Sequence, residues 1–203
     1  MRPSSPGRRF LHVAALLPAA CGREAPLFER VETGAEVALL CGEPGVKDTI
    51  LDVNGNGLAL LDADGDGDLD LLLVDGSTRA RLLARRPVRH HLLLNTGVRD
   101  GAPRFEPAGA DTGLEMHGWP TGVAVGDVDR DGRPDLLVGG VGEDALFLNR
   151  TARGGALRFE KRTLPGRSGP REWTASVALA DYDGDGLLDA YLARYLDIDP
   201  ADP

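Results

Sequence analysis

The chain has 203 residues, of which 32 are acidic and 23 are basic, giving a formal net charge of −9. This balance argues against nucleic acid as a partner, because phosphate backbones are bound by clustered positive charge. The length is sufficient for one domain, and 27 glycines with few aromatic residues are typical of the many tight turns of an all-β fold.

Residues 1–20 have the order of an export signal, with three arginines within residues 2–9, an apolar run at residues 10–17 and small residues before Cys21. The apolar run is too short to cross a bilayer, so no transmembrane segment is predicted. We expect an exported protein, located in the periplasm, on the cell surface or outside the cell. Cys21 stands where a lipobox would place a lipid anchor. The alternatives are a pair with Cys41 or removal with the signal.

Residues 27–57 are predicted to form an N-terminal strand, near residues 28–31, and a lead-in segment. Within it, residues 52–57 read Asp-Val-Asn-Gly-Asn-Gly, which resembles the start of a metal-binding loop. The ninth position of that loop would be Leu60, which cannot supply a ligand. We therefore predict a turn at Asp52.

The nine-residue pattern Asp-x-Asp-x-Asp-Gly-x-x-Asp occurs three times, at Asp62–Asp70, Asp127–Asp135 and Asp181–Asp189. Four carboxylates this close together repel each other and need a cation to compensate them. The hard, oxygen-seeking Ca²⁺ ion fits this donor set best, so about three ions are expected. The alternative interpretation is a set of acidic, solvated turns.

Each position of the motif has an expected role. The aspartates at positions 1, 3, 5 and 9 offer carboxylates, the glycine at position 6 provides a positive φ, and position 7 offers only its carbonyl. Position 7 varies between Asp, Arg and Leu, as a main-chain ligand permits. The predicted metal ligands are Asp62, Asp64, Asp66, Asp68, Asp70, Asp127, Asp129, Asp131, Arg133, Asp135, Asp181, Asp183, Asp185, Leu187 and Asp189.

An EF-hand is excluded by the twelfth position of each loop. That position requires a bidentate Glu, whereas here it is Leu73, Val138 or Leu192. The flanking runs are short and apolar, such as residues 123–126 and 136–138, which predicts buried strands rather than helices. The loops therefore join antiparallel strands.

The same residues recur at an offset of 54, including Trp119 with Trp173, and Asn95 with Asn149. Each unit contains four short apolar runs, which is the spacing of a β-propeller blade. We predict an all-β, partial β-propeller of about 2.5 four-stranded blades, open rather than closed. Its parts are blade 1 at residues 58–110, blade 2 at residues 121–165 and an incomplete blade 3 at residues 175–203.

Blade 1 is longer than the repeat because of a basic insertion at residues 77–90, which contains five arginines. Two interpretations stand beside each other: an anion-binding loop, or a solvated surface loop of the kind that tolerates insertions.

Residues 119–138, from Trp119 through the second Asp loop to Val138, resemble the FG-GAP/VCBS repeat, the Ca²⁺-loop blade of integrin-α-type propellers. Residues 47–62 and 188–199 further resemble repeats of the cartilage acidic protein (ASPIC/UnbV) family. The likeness covers residues 27–200 and implies that the chain is the N-terminal part of a longer protein. Position 2 of the first loop, Ala63, departs from the Tyr that this family favours.

The function expected from these features is a non-catalytic module that presents loops to a protein or glycan ligand. No catalytic residue is assigned, and the protein is predicted not to be an enzyme. The rival hypotheses are the N-terminal part of a secreted hydrolase or lyase, with its catalytic residues elsewhere, and a structural spacer. The four histidines, His12, His90, His91 and His117, are interpreted as structural or solvent-facing.

Overall fold

A computed structural model describes residues 13–15, 29–43, 45, 47–109, 111–164 and 171–199. Within them the chain is mostly β, as predicted. The strands are β1 Val13–Ala15, β2 Glu29–Val31, β3 Leu58–Leu61, β4 Asp70–Leu73, β5 Val88–Arg89, β6 His91–Arg99, β7 Ala102–Pro107, β8 Glu115–Met116, β9 Trp119–Gly126, β10 Asp135–Val141, β11 Ala145–Asn149, β12 Phe159–Thr163, β13 Glu172–Ala180 and β14 Asp189–Asp197. The helices are α1 Ile50–Val53 and α2 Arg79–Leu83.

The first sheet is a four-stranded antiparallel meander in the order β3-β4-β6-β7. Its register pairs Leu60 with Leu71 and Leu71 with Leu93. The third and fourth runs of the sequence unit are therefore strands β6 and β7, as expected. Because side chains alternate across a strand, neighbouring leucines of β4 point to opposite faces.

The second sheet repeats this order with β9, β10, β11 and β12. β10 lies between β9 and β11, and Leu137 is paired with Ala124 and with Leu146. Strand β13 then pairs with β10 through Val141 and Trp173, and with β14 along its length. The third unit is therefore a hairpin, β13–β14, attached to the second sheet at one end.

The main core lies between the first and second sheets. The first sheet contributes Leu61, Leu72 and Leu92, and the second contributes Leu136 and Phe147. All of these side chains are buried. Burial of this apolar surface is the largest favourable contribution to holding the two sheets together.

The opposite face of the first sheet is covered by the lead-in segment. Ala35, Val37 and Leu39 pack against a cluster that includes Leu73 and Phe105. Backbone hydrogen bonds fix the segment, with the Phe105 N–H donating to the carbonyl of Thr33. The lead-in thus occupies the place that a further sheet would take on this face.

The turn predicted from Asp52 to Gly57 is correct only in part, because its first two residues belong to the short helix α1, whereas residues 54–57 have no regular secondary structure. Asp52 accepts hydrogen bonds from the backbone N–H and the hydroxyl of Thr49, and the bond from the backbone N–H is the contact that the N3 residue makes in a capping box. Burial alone would raise the pKa of Asp52, but the hydrogen bonds from Thr49 and Glu43 outweigh it and lower that pKa. Its carboxylate therefore accepts a backbone hydrogen bond at the N-terminus of α1.

The basic insertion is not a plain surface loop. It contains helix α2, capped by Thr78, and strand β5, which pairs with β8. Leu82 and Val88 are buried and anchor it, while four of its five arginines are exposed: Arg79, Arg85, Arg86 and Arg89. Arg89 forms an ion pair with Glu115 at 2.5 Å. Sequence spacing alone did not reveal the two apolar anchors because they are isolated among charged residues.

At the N-terminus, β1 pairs with β2 in antiparallel register, so the expected strand near residues 28–31 is present. The remainder of the predicted export signal, with Cys21, lies outside the described residues.

Cys41 is a free thiol that donates to the carbonyl of Asn54. No helix in the described part of the chain combines the length and the apolarity needed to span a membrane.

Candidate metal centre

Three equivalent loops join paired strands at the same place in each unit. Loop 1 (residues 62–70) connects β3 to β4, loop 2 (residues 127–135) connects β9 to β10, and loop 3 (residues 181–189) connects β13 to β14. The antiparallel strands predicted on either side of each Asp motif are therefore confirmed.

Glycine at position 6 has the positive φ that the motif requires. The values are +97° for Gly67, +84° for Gly132 and +83° for Gly186. Position 4 also has a positive φ, at Gly65, Gly184 and, unusually for a non-glycine residue, Arg130. The sequence carried a signal for this second requirement, since two of the three residues at position 4 are glycine.

The aspartate at position 1 organises the loop through its backbone. In loop 1 the N–H groups of Gly65 and Gly67 donate to the two oxygens of Asp62 at 2.8 and 3.1 Å. Loop 3 repeats both contacts from Gly184 and Gly186 to Asp181. In loop 2 the donors to Asp127 are Asp131 and Gly132. These local hydrogen bonds fix the backbone of each loop around its first aspartate.

Three carboxylates converge in each loop, with one oxygen from each within 4.8 Å of the other two. The groups are Asp62, Asp64 and Asp66 in loop 1, Asp127, Asp129 and Asp135 in loop 2, and Asp181, Asp183 and Asp189 in loop 3. The fourth aspartate of each motif, which is Asp70, Asp131 or Asp185, stands outside its group. The convergence predicted from the sequence is thus present for three of the four carboxylates in each loop.

The aspartate at position 9 ties the loop to the sheet. Asp70 is buried and accepts hydrogen bonds from the N–H groups of Ala63 and Asn95 at 2.9 and 2.8 Å. Asp135 is buried in the same way and accepts from Val128 and Asn149 at 2.9 and 2.7 Å. Burial raises the pKa of both carboxyl groups, and the like charges of the neighbouring loop aspartates add to that effect.

The equivalent asparagines Asn95, within β6, and Asn149, at the end of β11, have a role that the sequence analysis missed. Besides bonding the position-9 aspartate through its N–H, each accepts a hydrogen bond two residues further on, from Gly97 to Asn95 and from Thr151 to Asn149. The Asn149 side chain also donates to the carbonyl of Ala63 in loop 1 at 3.0 Å. The recurrence of Asn at the offset of 54 was the available signal.

Positions 5 and 7 form a further local contact in all three loops. The N–H of position 7 donates to the position-5 carboxylate, from Asp68 to Asp66 and from Leu187 to Asp185, at 2.8 and 2.7 Å. Side chains at position 7 of loops 1 and 3 are exposed, and their identity is free to vary. Arg133 makes the same backbone contact to Asp131 at 3.0 Å.

In loop 2, two arginines form ion pairs with the loop carboxylates. Arg150 Nη1 lies 2.6 Å from Oδ2 of Asp129 and 3.0 Å from Oδ2 of Asp131, and the Arg133 guanidinium also bonds Asp131. The hydrogen bond from Arg150 lowers the pKa of Asp129, and reciprocally Asp129 raises the pKa of Arg150. Arg150 follows the motif by 15 residues, so motif reading did not find it.

The donor set of each group suits a hard cation. Three carboxylate oxygens within 4.8 Å, with main-chain carbonyls nearby, match the all-oxygen shells of Ca²⁺ and Mg²⁺. None of the three histidines in the described part of the chain, His90, His91 and His117, belongs to these groups. His90, the last residue of the basic insertion, is buried against Phe147 with neither ring nitrogen hydrogen-bonded, and His91 Nε2 lies 3.7 Å from Asp75.

The family model of the FG-GAP-like repeat matches residues 62–138 and residues 131–192. These two matches cover more than half of the chain and include all three Asp loops. The protein therefore belongs to the FG-GAP-like repeat family, whose repeats form β-propellers, and its two meander sheets are the blades of such a fold. No curated protein matches the chain.

Proposed function

We propose that this protein is an exported, Ca²⁺-binding β-propeller segment that acts as a non-catalytic module for a protein or glycan ligand. The observation that carries the metal part of the proposal is the triple recurrence of converging carboxylates. Three converging carboxylates, with one oxygen of each within 4.8 Å of the other two, occur in all three loops, from positions 1, 3 and 5 in loop 1 and from positions 1, 3 and 9 in loops 2 and 3. Chance acidic turns would not share the backbone contacts of positions 1 and 5.

Ca²⁺ is favoured over Mg²⁺ by the flexibility of the shell. Ca²⁺ accepts six to eight oxygens in variable geometry, whereas Mg²⁺ demands a compact octahedron and retains water. A loop that supplies carboxylates at alternate positions and a carbonyl at position 7 meets the first requirement more easily. Export would bring the chain into the millimolar Ca²⁺ that weak extracellular modules use.

Isothermal titration calorimetry of the full chain, stripped of metal with a chelator, tests this assignment. We expect Ca²⁺ binding at up to three sites and much weaker binding of Mg²⁺. Free Ca²⁺ at about 100 times the Kd of a site stabilises the folded state by about 2.7 kcal/mol per site. Thermal melting with and without Ca²⁺ measures that stabilisation independently.

The matched variants are Asp64→Asn, within the loop 1 group, and Asp111→Asn, an exposed acid outside the three motifs. Both remove one negative charge. Only Asp64→Asn is expected to remove or weaken a Ca²⁺ site. Equal behaviour of the two variants, or equal affinity for Mg²⁺, would contradict specific Ca²⁺ sites.

Export and the narrower family assignment belong to the same proposal. The basic, apolar and small-residue order of residues 1–20 supports export. Mass spectrometry of the mature protein tests it, since an intact Met1 on a cytosolic product would contradict it. The likeness of residues 47–62 and 188–199 to cartilage acidic protein (ASPIC/UnbV) repeats supports a ligand-presenting role rather than catalysis.

A further inference from the structure

The second loop already contains a positive charge where the other two would receive a cation. Arg150, the first residue after β11, contacts both Asp129 and Asp131 through one nitrogen, at 2.6 and 3.0 Å. Arg133 contacts Asp131 from the other side. Asp129 belongs to the converging group of loop 2, so the guanidinium bonds a carboxylate that the proposed metal would use.

The first loop has the opposite charge balance. The residue 54 positions before Arg150 is Thr96, whose hydroxyl donates to the carbonyl of Arg104 rather than to the loop. Position 7 of loop 1 is Asp68, where loop 2 has Arg133. Loop 1 therefore carries an additional carboxylate and lacks both arginines. Affinity of such loops for Ca²⁺ increases with the negative charge of the ligands.

We propose that Arg150 is an internal counter-cation that competes with Ca²⁺ for loop 2, so that loop 1 fills at lower Ca²⁺ concentration than loop 2. This inference rests on the proposed function, because it takes the loops to be Ca²⁺ sites. Entry of the ion requires Nη1 of Arg150 to leave Asp129 and Asp131. Glu160, which accepts a hydrogen bond from Nε of Arg150 at 3.3 Å, remains as a partner for the displaced guanidinium.

Because of the repeat, loop 1 has an equivalent position, residue 96, at which the same arginine can be introduced. In the second sheet Glu160 is paired with Leu148, and in the first sheet Glu106 is paired with Leu94, two residues in the same repeat register. An arginine at position 96 would therefore have Glu106 beside it, as Arg150 has Glu160. Thr96→Arg transfers the competing charge to loop 1, and Arg150→Thr removes it from loop 2.

Calorimetric titration of the full chain with Ca²⁺ tests the proposal on both substitutions. Arg150→Thr is expected to tighten the loop 2 site about tenfold, because two partly exposed ion pairs no longer oppose the metal. Thr96→Arg is expected to loosen the loop 1 site by about the same factor. Arg86→Thr, an exposed arginine of the basic insertion, is the charge-matched control and should leave every site unchanged.

A second readout uses no metal. In excess chelator, Arg150→Thr is expected to melt at a lower temperature than the parent, because the loop 2 carboxylates lose their compensating charge, and Ca²⁺ should remove that difference. If Arg150→Thr folds poorly, the Ca²⁺ affinity of the Thr96→Arg variant tests the proposal by itself. Ca²⁺ affinities that stay within about twofold of the parent in both variants would overturn this inference and leave the proposed function standing. A parent chain that binds no Ca²⁺ would overturn both.

Discussion

The hairpins β9–β10 and β13–β14 carry the same loop at the same repeat offset, but they differ in burial along their strands. Every residue of β10 is buried, whereas β14 is exposed at all but one position. The difference is clearest at Leu137 and Tyr191, which are 54 residues apart and are 0% and 74% exposed. The loops nevertheless share two contacts, from the N–H of position 6 to the position-1 carboxylate and from the N–H of position 7 to the position-5 carboxylate.

This comparison separates two levels of structure. The conformation of each loop is set mainly by its own nine residues, because most of its hydrogen bonds are local. Its positive φ values require glycine at position 6 and glycine or, in loop 2, Arg130 at position 4. Burial of the flanking strands depends on neighbours, since β10 has β9 and β11 beside it and the first sheet against its face. The position-9 aspartate belongs to both levels: Asp135 is buried, whereas Asp189 is exposed.

The largest effect should come from truncating the equivalent residues of the two hairpins. Leu137→Ala is expected to destabilise the protein by about 2–5 kcal/mol, because it leaves a cavity in a well-packed core. Tyr191→Ala should change the free energy of unfolding by less than about 0.5 kcal/mol, as exposed positions do. Urea denaturation of both variants in chelator measures this, and similar costs would show that β14 is covered in solution.

Acid should next act through His90, the buried residue that precedes β6. Burial lowers the pKa of His90 to about 4 from 6.5; the Asp75 charge opposes this shift and His91 adds to it. The unfolded chain takes up the proton first, so stability is full above pH 6.5 and decreases as the pH falls toward 4. The expected loss is about 3 kcal/mol.

The measurement is urea denaturation of the parent and of His90→Leu across that pH range. The variant lacks the titrating group and should lose less stability between pH 6.5 and 4, whatever its stability at neutral pH. Parallel pH profiles of parent and variant would contradict the assignment of this acid sensitivity to His90.

A smaller effect is expected at the contact that attaches the third hairpin. Asp144 is buried, accepts hydrogen bonds from Gly140 and Thr174, and lies 2.8 Å from Nη1 of Arg194 on β14. Arg194→Met should cost about 1–3 kcal/mol, less than a fully buried pair would, because the guanidinium is partly exposed.

Arg171→Met is the matched control for this substitution, since Arg171 pairs with Asp199 at 3.0 Å in an exposed position of the same unit. Its cost should be below about 1 kcal/mol. A double-mutant cycle with Asp144→Asn isolates the coupling. Equal costs for Arg194→Met and Arg171→Met would show that the hairpin is attached mainly by Trp173 and its apolar neighbours.

The strands and loops could be predicted because their signals are short-range. A continuous apolar run such as that of β4, and glycine at a fixed loop position, need no knowledge of distant residues. The capping role of Asp52 and the burial of His90 could not be predicted, since both depend on residues brought close by folding. Arg150 belongs to this second kind, because the pairing of β11 with β10 brings it beside loop 2.

The hydrogen bond from Asn149 to the carbonyl of Ala63 has a consequence for how such a chain can be divided or recombined. A boundary drawn between the two sheets would separate a buried donor from its acceptor, leaving a desolvated amide in one half and a carbonyl in the other. The segment that can be exchanged between such chains therefore does not have the same boundaries as a sheet. It begins at one Asp loop and closes only with the asparagine of the following unit, so shuffling should succeed when exchange points respect that offset.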